Sequence, residues 1–161
     1  FRNNHYNSNL YTLVEYFLLL WLFYRIRQHG KSGSIAAAVV GLIIWIADNI
    51  WLHAIENSNI LFRLSSSLVI LWLSINQLTS FVLSSLDNNF KATGLLICAA
   101  FCVYYAYRSF VLFFKFFFSE ACSAYEPKLW LVINLINIGT NITLLIAMLC
   151  LPKTSHSIPA F

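Results

Sequence analysis

The sequence predicts an all-α fold, a polytopic transmembrane helical bundle with five membrane-spanning helices, and three observations carry that prediction. Five apolar runs of roughly 18 to 26 residues fill almost all of the 161 positions, each long enough to cross a hydrocarbon core of about 30 Å at about 1.5 Å per residue. Hydrophobic residues make up 60% of the chain and charged residues 10%, and the mean hydropathy is +0.72, which lies outside the usual range of a soluble domain. The connections between runs are short, so sequential helices are expected to be antiparallel neighbours in one transmembrane domain covering residues 1–161.

The first span is read from Leu10 to Arg27, and its block Phe17 to Phe23 is continuously apolar. A membrane barrel needs alternating residues, so this block argues for a helix. The second span, Ser34 to Ala54, offers Ala36-Ala37-Ala38 and Gly41 as a face for close helix packing. The third, Asn59 to Ser84, is apolar but studded with Ser65, Ser66, Ser67, Ser74, Asn76, Gln77, Thr79 and Ser80. The fourth, Thr93 to Phe118, ends in the Phe-rich stretch Phe110 to Phe118, a face for lipid or for a partner helix. The fifth runs from Lys128 to Leu151. The connections His29 to Gly33, Glu56 to Ser58 and Leu86 to Ala92 leave no room for a soluble catalytic domain.

The formal charge of +4 comes from ten Lys and Arg scattered over helix ends, without the basic stripe that nucleic-acid binding requires. With five spans the termini lie on opposite sides of the bilayer. The side holding the N-terminus, side A, receives Arg2, Arg63, Lys115 and Lys128 together with Glu56, Glu120 and Glu126, and side B receives Arg25, Arg27, Lys31, Lys91 and Lys153. The compact cluster Arg25, Arg27 and Lys31 places side B and the C-terminus in the cytoplasm of a cell (inner) membrane. Trp21, Tyr24, Trp45, Trp51, Tyr125 and Trp130 lie near span ends, where they serve as interfacial anchors or as packing residues. The chain opens on Phe1 and not on Met, as expected of a processed, trimmed or incomplete chain, in which a signal peptide or an earlier span can be lost from this numbering.

Chemistry-bearing residues are few. Cys98 and Cys102 are spaced i, i+4 inside a span and read as small packing residues, Cys122 and Cys150 stand apart, and no metal or other cofactor is expected. His5, His29, His53 and His156 fall in loops or at span ends, so a histidine-based catalytic pair is unsupported. Asn141-Ile142-Thr143 fits a glycosylation triplet but lies within an apolar span. Glu15, Asp48 and the tyrosines Tyr104, Tyr105 and Tyr107 are the remaining acid-base candidates, and no nucleophile elbow or phosphate loop accompanies them.

What stands out is a layer of polar side chains at membrane depth. Glu15 lies about one and a half turns inside the first helix, Asp48 interrupts the second near its side A end, Arg108 sits in the fourth, and Asn134, Asn137 and Asn141 share one face of the fifth at spacings of three and four. A charge at the centre of a spanning helix costs about 2.5 to 3.5 kcal/mol on insertion scales, so an inward-facing pair is the inexpensive arrangement. Arg108 is therefore expected to pair with Glu15 or Asp48, with the asparagines hydrogen-bonding around them. Ser74, Asn76 and Gln77 form a second expected polar layer nearer side B. The first layer serves as a structural lock, a water-accessible pocket for a small polar ligand, or an interface for a partner's polar residue.

The run Asn9-Leu10-Tyr11-Thr12-Leu13-Val14-Glu15-Tyr16-Phe17, then Tyr24-Arg25, Leu129-Trp130 and Gly139-Thr140-Asn141, resembles a family of small bacterial polytopic membrane proteins with no established activity. The resemblance implies a seven-helix parent with two further helices ahead of this region, and it matches the family's glutamate to Glu15 and its late asparagine to Asn141; the middle of the chain departs from it. Residues and resemblance together lead to a non-catalytic membrane protein, an accessory, assembly or sensory subunit whose partners are the lipid bilayer and other membrane subunits or copies of itself. The competing expectation is a small transporter or channel, which needs a continuous polar path from the first layer to Asn76 and Gln77.

Overall fold

The computed structural model describes residues 4–26, 32–50, 59–83, 88–118 and 125–150. Among them lie five helices: α1 (Asn4–Ile26), α2 (Ser32–Ile50), α3 (Ile60–Leu83), α4 (Asn88–Phe117) and α5 (Glu126–Leu149). Four are long and apolar enough to cross a membrane, through Gly33–Ile50, Ile60–Leu83, Phe90–Phe117 and Pro127–Leu149. With its 23 residues α1 reaches about 34 Å. It falls short of the other four in apolar character because Asn9 and Glu15 interrupt its hydrophobic run. An integral membrane helical bundle is therefore established by four helices.

Two helices start earlier than the apolar runs suggest. α1 begins at Asn4, ahead of Leu10, because Ser8 and Asn9 are anchored in polar contacts to α2 and α3 that hold its first turns. α4 begins at Asn88, inside the expected loop Leu86 to Ala92. There the Lys91 ammonium donates to the Val82 carbonyl at 2.9 Å, satisfying one of the last carbonyls of α3, while Phe90 meets Phe81 edge-on at 6.4 Å. Positions 51–54 of the expected second span lie outside the described residues.

Side-chain pairs fix the directions. Asn9 meets Asn49 and Trp45 whereas Tyr16 meets Ala37, so α1 and α2 run antiparallel. Glu15 meets Arg108 and Phe23 meets Phe101, so α1 and α4 are antiparallel too. α3 is the hub, packed against α1, α2 and α4, while α5 packs on α4. The core is aromatic: Tyr16, Phe23, Phe62, Phe81, Phe101 and Tyr105 cluster with Leu20, Ile70, Leu73 and Cys98.

Lipid tails are as apolar as these side chains, so tight packing and not the hydrophobic effect holds such a core together. Glycine provides the closest approach. The Tyr16 ring lies over Gly41, where a Cβ would overlap it, and its hydroxyl donates to the Ala37 carbonyl at 2.7 Å. Gly94 takes the Phe81 ring in the same way, its Cβ position lying 2.6 Å from Phe81 Cζ. Ala37 and Ala38 join the packed side of α2, whereas Ala36 is exposed. The outer surface remains apolar, and Phe110, Phe114 and Phe118 form a ring ladder with centroids 4.8 and 5.5 Å apart on the exposed end of α4.

Candidate functional site

Three helices turn polar side chains toward one another at helical spacing. α1 contributes Ser8, Tyr11, Thr12, Glu15 and Leu19, which recur every three or four residues and so share a face. α4 contributes Phe101, Tyr104, Tyr105, Arg108, Val111 and Leu112, and α5 contributes Trp130, Ile133, Asn134, Asn137, Thr140, Asn141 and Leu144. Between these faces lies a cleft of about 470 Å³, closed near its mouth by Arg63 of α3. α5 rests on α4 and α1 rests on α2 and α3, so the flank of the cleft between α1 and α5 lacks extensive backbone packing.

The cleft wall holds one ion pair. Arg108 Nη1 lies 3.2 Å from Glu15 Oε1, with the side chains 13% and 26% exposed. The Tyr105 hydroxyl donates to the same Glu15 oxygen at 3.2 Å. The Arg108 guanidinium lies 5.8 Å and 5.6 Å from the ring centres of Tyr104 and Tyr105, within cation–π range. The charge is therefore placed between a carboxylate and two aromatic rings on its own helix, which offsets the cost of holding it at this depth.

At the mouth, an amide network joins three helices. Asn9 donates to the Asn49 Oδ1 at 3.3 Å and accepts from the Asn59 backbone N–H at 3.4 Å, and Trp45 Nε1 donates to the Asn9 carbonyl at 3.3 Å. Arg63 extends this network: Nε donates to Asn59 Oδ1 at 3.0 Å and Nη2 to the Ser8 hydroxyl at 2.7 Å. Arg63 thus stands on neutral oxygens, about 10 Å along α1 from Glu15, since Ser8 and Glu15 are seven residues apart. Beyond Glu15 the cleft ends at Leu19, Phe101 and Leu144, with Thr140 and Asn141 about one turn before Leu144 on α5.

Several expectations require correction. Asp48 does not join the ion pair. It is 3% exposed and its Oδ2 accepts from the Phe62 backbone N–H at 2.8 Å, because the start of α3 presents unpaired donors beside it. Asn134, Asn137 and Asn141 line the cleft from α5 as their spacing predicts, but none bonds to Glu15 or Arg108 among the described residues, since the width of the cleft separates them. Ser74, Asn76 and Gln77 do not share one face. At about 100° per residue Ser74 and Gln77 share the buried face of α3 and Asn76 falls on its exposed side. Ser74 then bonds back to the Ile70 carbonyl of its own helix at 2.7 Å.

The sequence reading passed over Ser8, Thr12, Thr140 and Asn59, whose signal is visible only as helical spacing relative to Glu15, Asn137 and Arg63. Of the proposed interfacial aromatics, Trp21 is exposed, Trp45 is tied to Asn9 and Trp130 lines the cleft, while Trp51 lies outside the described residues. Cys98 is fully buried in the core, and no cluster of metal-ligating side chains occurs among the described residues. Fold and site together define a helical membrane bundle with a polar cleft between three of its helices. No protein-family model, curated protein or solved structure matches this chain.

Proposed function

We propose that this is a non-catalytic, multi-pass integral membrane protein that binds a small ligand in the cleft between α1, α4 and α5, acting as a sensory or accessory subunit. The carrying observation is the cleft itself: about 470 Å³, with the Glu15–Arg108 pair in its wall and three unengaged asparagines opposite. That volume suits a small molecule, and convergent polar groups set among apolar walls are what a ligand site requires. The one carboxylate in the cleft is held by a guanidinium and a phenol, which suits gripping more than proton transfer.

In this reading α1 is the fifth span despite its polar residues, because Glu15 and Thr12 face α3, α4 and the cleft and are shielded from lipid. The cleft mouth opens on the N-terminal, extracytoplasmic side, and the C-terminus lies in the cytoplasm, in keeping with the basic cluster after α1. A transporter or channel using the same residues is less well supported. Its path would have to continue past Leu19, Phe101 and Leu144, and Asn76 points away from it.

The test is purification in a mild non-ionic detergent followed by native mass spectrometry of what remains bound. Asn137→Trp should fill the cleft without disturbing the core, since Asn137 is exposed on its wall. The expected result is a small adduct on the wild type that is lost in Asn137→Trp and in Arg108→Ala. Stoichiometric protein partners lost in the same variants, with no adduct at any stage, would replace the ligand site with an assembly interface.

A further inference from the structure

Of the described residues that line the cleft, three carry formal charge: Arg63, Arg108 and Glu15. Two cations and one anion leave a net charge of +1 in a space walled by helices. Arg108 has Glu15 as its counter-ion, but the Arg63 donors go to Ser8 and Asn59, which are neutral. A guanidinium has five N–H donors, and two of those on Arg63 are used. Across the cleft, Asn134 lies toward the mouth and Asn137 and Asn141 about one and two turns deeper, and all three offer further amide donors with no partner among the described residues. The mouth is therefore arranged as a donor-rich, electropositive seat for a group bearing one negative charge and several acceptor oxygens.

The opposite end is less polar. Beyond Glu15 the walls include Leu19, Phe101 and Leu144, which accept hydrocarbon, with Thr140 and Asn141 of α5 about one turn before Leu144. The flank between α1 and α5 lacks extensive packing, so a chain too long for the cleft can pass sideways into the bilayer. An inorganic anion uses only the first end and a neutral hydrocarbon only the second.

We propose, building on the ligand-binding reading above, that the cleft holds an anionic amphiphile. Its carboxylate or phosphate head seats against Arg63 and Asn134, facing Arg108, and its acyl chain lies along Leu19, Phe101 and Leu144. The Glu15–Arg108 pair then sets the selectivity. It cancels one of the two positive charges, so that a singly charged head is matched and a zwitterion, which brings its own cation, is not.

The experiment uses the full chain in non-ionic detergent and four probes read by native mass spectrometry. These are oleate, lysophosphatidylglycerol, lysophosphatidylcholine with the same acyl chain, and inorganic phosphate. The expected result is one-to-one binding of oleate and lysophosphatidylglycerol, each at least about tenfold tighter than lysophosphatidylcholine, whose trimethylammonium group adds a cation to an already positive cleft. Arg63→Gln should abolish that preference and Arg63→Lys should keep part of it. Glu15→Gln, which raises the net charge of the cleft by one and keeps an amide beside Arg108, should strengthen it, so the opposite sign tests the idea even where Arg63→Gln fails to fold. Equal affinity for the anionic and zwitterionic probes, both blocked by Asn137→Trp, would overturn this inference and leave the cleft as a ligand site. Inorganic phosphate that saturates the site and displaces the amphiphiles would overturn it in favour of a soluble anion. No binding of any probe would overturn both readings.

Discussion

The Asp48 carboxylate on α2 accepts a hydrogen bond from the Phe62 backbone N–H in the first turn of α3, at 2.8 Å. One helix thus caps its neighbour, supplying from a buried side chain the acceptor that α3 lacks within its own sequence. Asp48→Ala leaves the Phe62 donor buried and unpaired and should lower stability by about 1 to 3 kcal/mol. Asp48→Asn keeps an acceptor oxygen in place and should lose less than half of that. Unfolding in mixed detergent micelles under increasing sodium dodecyl sulfate measures both. Equal losses for the two variants would show that the charge, and not the cap, is what α3 requires.

The Glu15–Arg108 pair should couple α1 to α4 measurably but modestly. Interhelical polar contacts in membranes average roughly 0.6 kcal/mol and reach about 1.7, and here the shared Tyr105 bond and the two aromatic rings add to a partly accessible pair. A double-mutant cycle with Glu15→Gln and Arg108→Gln should give a coupling of about 0.5 to 2 kcal/mol in the same unfolding assay. Coupling indistinguishable from zero would mean that the two side chains are held in place independently by their own helices.

Three of the glycines within helices, Gly41, Gly94 and Gly139, should respond with opposite signs. Gly41→Ala drives a methyl group into the Tyr16 ring, whose hydroxyl is fixed to the Ala37 carbonyl, and should destabilise by about 1 to 3 kcal/mol. Gly94→Ala meets Phe81 and should behave likewise. Gly139 has nothing within 4 Å of its Cβ position, so Gly139→Ala should be neutral or stabilising by up to about 1 kcal/mol through helix propensity. Melting curves of the three purified variants suffice, and a destabilised Gly139→Ala would reveal a neighbour of α5 that the isolated chain does not contain.

Water should reach the cleft and not the opposite face of α5. Asn137→Cys and Asn141→Cys, placed in a cysteine-free background and reconstituted in vesicles, should react with a membrane-impermeant thiol reagent added from the mouth side. Ile138→Cys, which is exposed on the outer surface of α5, should react far more slowly because lipid covers it. Similar rates at positions 137 and 138 would argue that α5 has no lipid-facing side and is wrapped by another chain.

Helix type was legible because it rests on a local rule. A run of some twenty apolar residues in a bilayer has no alternative to a helix, since every backbone N–H and C=O must be paired within the segment. The spacing of Asn134, Asn137 and Asn141 likewise determined that they share a face, and the scarcity of charges at membrane depth singled out Arg108 and, as its partner, either Glu15 or Asp48.

Tertiary structure alone decided which charge faces which. Glu15 and Asp48 are both acids near the same membrane depth, and nothing local separates them. Rotation of α2 against α3 turns Asp48 onto the first turn of its neighbour, while α1 turns Glu15 toward Arg108. Helical periodicity by itself splits Asn76 from Ser74 and Gln77. The cleft, by contrast, is a product of assembly, because it exists only where α5 leans on α4 and leaves α1 uncovered. A sequence fixes the angle of each side chain about its own helix axis, but the packing of one helix against the next sets where that angle points.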